Sequence, residues 1–186
     1  MLRSPSCIAI AALSLLLWAS PGFGGIVAGQ KASGAADPST PLGILVGNVD
    51  IEESEELLAP PRVLLMSSSW TELWSGTLQQ TLDAYLMRYR RAVDRDRDAY
   101  HEIAGWAYGE AVGSVTLRMQ EALGEDFSNW FKEADGEGRF EFPRIPLGDY
   151  QVVAVAATTE GALIWSEAVT VSSAIPQYIE VQNRVP

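Results

Sequence analysis

The chain reads as an α+β fold: mainly β, an antiparallel β-sandwich, with a helical insertion that forms an α-helical hairpin. Three observations lead there. Short runs of alternating apolar and polar residues, bounded by Gly, Pro, Asn and Asp, occupy both ends of the mature chain. Between them, roughly 65 residues from Trp70 to Ala134 contain no proline and repeat apolar residues every three or four positions. At 186 residues, 47% hydrophobic and 20% charged, the chain has the length and composition of one globular domain with appendages.

Residues 1–24 have the layout of a signal peptide: Arg3 as the positive region, an apolar run from Cys7 to Ala19, then small residues at Ser20, Gly22 and Gly24. The run is shorter than the roughly 20 residues of a membrane span, so cleavage near Gly24 is expected, with no stable membrane span afterwards. Cleavage removes Cys7, the one cysteine, so no disulfide and no thiol chemistry are expected. Residues 25–41, rich in Gly, Ala, Ser and Pro, read as a flexible leader, and residues 42–186 as the domain.

Ile44, Val46 and Val49 mark a first strand, and an acidic turn from Glu52 to Glu56 follows it. Arg62 to Met66 is a second strand, whose Pro60-Pro61 start suits an edge or the first residues of a strand. The insertion at 70–134 comes next. Trp74, Leu78, Leu82, Tyr85, Tyr89, Val93, Tyr100, Ile103 and Ala107 share a helical face, and the charged run Asp94 to Asp98 is either continuous helix or a polar corner. Val112, Val115, Met119, Leu123, Phe127, Trp130 and Phe131 give a second stripe, with a break expected near Gly109 or Gly113.

From Asp135 strand patterns return. Gly138 to Phe142 alternates, Pro143 to Asp149 turns the chain, and Tyr150 to Val155 answers as the second arm of a hairpin. Two further strands are expected over Ala162 to Val171 and Gln177 to Val181. Phe140 and Phe142 fall on one face, with Tyr150 able to pack beside them, while Pro146 pre-sets the turn and Gly148 supplies a backbone angle that a side chain resists.

The stretch from Asp135 to Tyr150 resembles the carboxypeptidase regulatory-like family: an Asp/Gly turn at Asp135 and Gly138, the Phe140-x-Phe142 strand, and the Pro146-x-Gly148-x-Tyr150 turn. Gly47-Asn48-Val49 and Pro61 to Leu65 look like that family's opening strands, so the resemblance covers about half the chain and leaves out the helices. It implies a transthyretin-like, or prealbumin-like, sandwich of about seven strands, commonly an accessory module of exported proteins and not an enzyme. The inserted helices are a departure, and individuality of function is expected there.

Composition narrows the chemistry. A formal charge of −11 and one histidine speak against nucleic acid, against a Ser-His-Asp triad and against a zinc site of several His and Cys ligands. His101 reads as a solvated or packed side chain, the helical acids Glu102, Glu110, Glu121, Glu125 and Asp126 as a solvated face, and Asp135 to Gly138 as a plain turn short of calcium's ligand number. Arg88, Arg90 and Arg91 read as an ion-paired face. Related transthyretin-like hydrolases end in Tyr-Arg-Gly-Ser, which this chain lacks, and an adhesin-type isopeptide bond would need a strand lysine, whereas Lys31 and Lys132 fall outside the expected strands.

No catalytic residue, cofactor or metal is therefore expected. The chain is read as an exported, secreted or periplasmic binding or structural module, engaging a protein through the helical insertion or, alternatively, a glycan through Trp and Tyr side chains. Trp70 and Trp106 fit the helical stripe least well and are the candidate surface.

Overall fold

The structure is a computed structural model and describes residues 41–52, 55–159 and 161–185. The expected signal segment, and the leader up to residue 40, lie outside the described residues. Eight strands and two long helices follow in the order β1 (Leu42–Val49), β2 (Arg62–Ser67), α1 (Ser68–Val93), α2 (Arg97–Leu123), β3 (Phe131–Glu133), β4 (Arg139–Pro146), β5 (Gly148–Ala157), β6 (Ala162–Val171), β7 (Gln177–Val181) and β8 (Arg184–Val185). A 3-10 helix, Gly124–Asn129, links α2 to β3.

The strands form two sheets, one of order β4-β1-β7 and one of order β3-β2-β5-β6-β8. Their inner faces share one core, to which the first sheet gives Leu45, Phe140 and Phe142, and the second Leu65, Val152 and Trp165. The sandwich is not wholly antiparallel, because β1 and β7 run parallel. The Cα of Gly47 faces that of Phe140, and a Cβ there would lie 2.2 Å from the Phe140 ring, so only glycine lets the ring close over β1.

The larger sheet is buried on both faces. Its inner side chains join the sandwich core, while Leu64, Met66, Val153 and Ile164 point outward into a second core with Trp74, Ala111, Val112, Val115 and Met119 of the helices. This explains the unbroken apolar runs Val63 to Met66 and Val152 to Ala154, since a strand covered on both sides has no polar alternation to show. It also corrects the edge reading of β2, which lies between β3 and β5. Pro61 keeps its place just before the strand, where its carbonyl accepts from the Ala134 N–H.

The hairpin is divided elsewhere than the glycines suggest. Helix α2 runs unbroken through Gly109 and Gly113, and the chain turns at Asp94–Asp96. Asp96 accepts from the Asp98 N–H at 3.0 Å and so caps the new helix, an outcome favoured by its short polar side chain. Phe127, Trp130 and Phe131 leave the helical stripe: the 3-10 turn and β3 carry the chain back to pair with β2. β3 and β8 are too short to show a periodicity and were not expected. Lys132 consequently sits in a strand, where it donates to the Ser128 carbonyl at 2.7 Å.

The expected β4–β5 hairpin is absent as a pair. β4 continues through Pro143 to Pro146 beside β1, whereas β5 joins β2 and β6, so the turn at Leu147 carries the chain from one sheet to the other. The Pro-x-Gly-x-Tyr segment is thus a corner between sheets. Proline is tolerated in β4 because that strand is an edge of its sheet.

Candidate functional site

The residues from Asp135 to Tyr150 are engaged in turn hydrogen bonds and packing. The Asp135 carboxylate accepts from the N–H groups of Glu137 and Arg139, both at 2.9 Å, which holds its pKa below the ordinary 3.8 and closes the turn. Gly138 has φ +83, and a Cβ there would meet the Val49 carbonyl oxygen at 2.5 Å. Phe140 and Phe142 meet edge to face with centroids 5.8 Å apart. Tyr150 donates to the Pro146 carbonyl and leans on Trp130, and Gly148 has φ +157.

The two tryptophans singled out as a surface part company. Trp70 is half-buried and packs against the core between helices and sheet. Trp106 on α2 is 46% exposed. It touches Tyr85 and Tyr89 of α1, with centroids 6.5 and 5.8 Å away and interplanar angles of 61° and 73°. The two tyrosines stack on each other at 6.0 Å and 26°.

This cluster is assembled by the turn. Tyr85 and Tyr89 are one helical turn apart, as are Trp106 and Glu110, and folding α1 against α2 about Asp94–Asp96 brings the two pairs together. The Tyr85 hydroxyl donates to Glu110 Oε2 at 2.7 Å. That bond, with burial adding to it, pushes the Tyr85 pKa up to about 12. Arg88 lies over the Tyr89 ring at 5.7 Å. Helix α1 kinks at Tyr89, where φ and ψ are −106° and 15°.

The hairpin's contribution to the outer core comes from Trp70 to Leu78 on α1 and Tyr108 to Leu123 on α2. Nearer the turn, Ile103, Ala104 and Ala107 are buried. Small alanines let two helices approach closely. Among the described residues, Arg90 pairs with Asp94 at 3.8 Å, and Arg88, Arg91 and Arg95 have no carboxylate within ion-pair distance. The basic run is therefore less paired than its acidic neighbours suggest. The sequence places Tyr85, Tyr89 and Glu110 on helical faces, and the matched one-turn spacings on either side of the charged run are its signal that they meet.

A concavity lies at one end of the sandwich, lined in part by Asp50, Glu52, Glu55, Asp135, Glu137 and the Leu57–Pro61 segment. Arg184 already pairs with Glu55 at 2.6 Å. Among the described residues no group of three or more His, Cys, Asp or Glu side chains is spaced to hold a metal ion, and no helix is long and apolar enough to cross a membrane.

No family model matches the sequence, and no curated protein matches it. Among solved structures, a candidate carbohydrate binding protein from Pseudomonas aeruginosa aligns over 77% of this chain and 90% of its own at 17% identity. The TM-score is 0.34, below the level at which a shared fold follows.

Proposed function

We propose that this chain is an exported, non-catalytic binding module, of the carboxypeptidase regulatory-like type with a prealbumin-like sandwich, that docks a protein partner on its helical hairpin. The observation that carries this reading is the exposed Trp106 set among Tyr85, Tyr89 and Arg88. Trp, Tyr and Arg are the residues in which interface energy concentrates. Leaving a tryptophan face in water forfeits about 25 cal/mol for each Å² that a partner could cover. The ring angles of 61° and 73° argue against a flat multi-ring platform of the kind that stacks along a sugar chain.

The test is affinity capture from the native envelope or secreted fraction, comparing wild type with Trp106→Ala and Tyr89→Ala. Point changes are needed because deleting the insertion would also remove β3 and uncover Leu64, Met66, Val153 and Ile164. Loss of a partner in both variants, with unfolding midpoints unchanged, supports protein docking. Retention on a glycan array that Trp106→Ala abolishes, with no protein captured, overturns it in favour of sugar binding.

A further inference from the structure

Helix α2 carries Gly109 and Gly113 one turn apart in its interior. Glycine weakens a helix relative to alanine. Neither residue has a positive φ, and a Cβ at either would meet nothing within 4 Å. Among the described residues nothing therefore requires a glycine at these positions, and the space over both is open to a partner.

The surroundings of that gap are specific. On a helix of 3.6 residues per turn, Gly113 and Leu117 fall within about 40° of Trp106, and Gly109 about 60° to one side. Trp106 is 46% and Leu117 61% exposed, so two apolar anchors flank a stretch in which Gly109 and Gly113 leave the backbone uncovered beside Glu110. Glu102, Glu110 and Glu121 lie within about 60° of the same line and are all exposed. Arg118 stands about 120° round the helix, and Arg88 lies over Tyr89 at the turn end of the hairpin.

Resting on the docking reading above, we infer that the partner presents a cationic amphipathic helix, which lies along the Trp106–Leu117 stripe of α2. The glycine gap admits close approach of a second helix, Trp106 and Leu117 anchor its apolar side, and Glu102, Glu110 and Glu121 meet its Lys or Arg side chains. A chain of net charge −11 steers a cationic partner toward itself. A second copy of this chain is disfavoured, since the same three glutamates would face one another.

The probe is a synthetic helix of leucine and lysine at heptad spacing, titrated calorimetrically into the full chain. Controls are a leucine/glutamate helix and a lysine/serine peptide of equal charge. Expected is binding of the leucine/lysine helix that weakens at least tenfold in Gly113→Leu and in Glu102→Gln/Glu121→Gln, while Gly113→Leu melts at the same or a higher temperature than wild type. Equal binding of either control, or full binding by Gly113→Leu, overturns the inference. If Trp106→Ala loses the native partner but the leucine/lysine helix does not bind wild type, this inference fails and protein docking stands. If Trp106→Ala keeps the native partner, the docking reading itself fails.

Discussion

The Tyr150 hydroxyl donates to the Pro146 carbonyl at 2.7 Å, across the turn by which the chain leaves one sheet and enters the other. Tyr150 is buried, and that burial raises its pKa, so its ring belongs to the core and its hydroxyl to the corner. Tyr150→Phe keeps the ring and removes the bond. It is expected to lower stability by about 1 kcal/mol, read as a shift in urea midpoint with an unchanged slope. An unaltered midpoint would mean that the corner is held by packing alone.

Gly47 leaves the space that the Phe140 ring fills. A methyl at position 47 would sit 2.2 Å from the Phe140 ring and 2.8 Å from Ile179, on both flanking strands at once. Gly47→Ala is expected to destabilise by about 1–3 kcal/mol through overpacking. The double variant Gly47→Ala/Phe140→Leu should recover part of that loss in the same denaturation assay.

Asp135 ties its turn to pH. Its folded pKa lies below the ordinary 3.8, chiefly through the Arg139 N–H bond, so its contribution is present above that pH and is lost as pH falls through the folded pKa. Melting temperatures followed from pH 5 downward should fall more steeply for wild type than for Asp135→Ala. Parallel curves would show that the carboxylate adds nothing to acid stability.

Tyr85 reports on the hairpin site from the alkaline side. With a folded pKa near 12 against an ordinary 10.0, its contribution is complete below pH 10 and is lost as pH rises through about 12. Beside the buried Tyr150, an absorbance titration should show a second late-ionising tyrosine that Tyr85→Phe removes and that Glu110→Gln moves back toward 10.0. Late ionisation surviving Glu110→Gln would assign it to burial instead.

By itself the sequence determined the element types wherever a side-chain period ran long enough to be seen. The alternation around Phe140 and Phe142 placed β4 and its buried face, and the proline-free stretch with apolar residues every three or four placed the helices. Trp106 stood out because it broke that period. Tertiary structure decided what local pattern cannot encode. Whether Phe140 and Tyr150 flank a hairpin or a corner depends on which strands compete for their backbone groups, and β1, β2 and β6 won them. Where the hairpin turns was settled by Asp96 capping a new helix, not by glycines that a continuous helix tolerates. Trp70 and Trp106 look alike in sequence, yet Trp70 lies where α1 leaves the sheet and packs there, while Trp106 lies nearer the turn, beside Tyr85 and Tyr89 and open to water. Burial is a property of what the rest of the chain brings near a side chain, and only the folded arrangement supplies it.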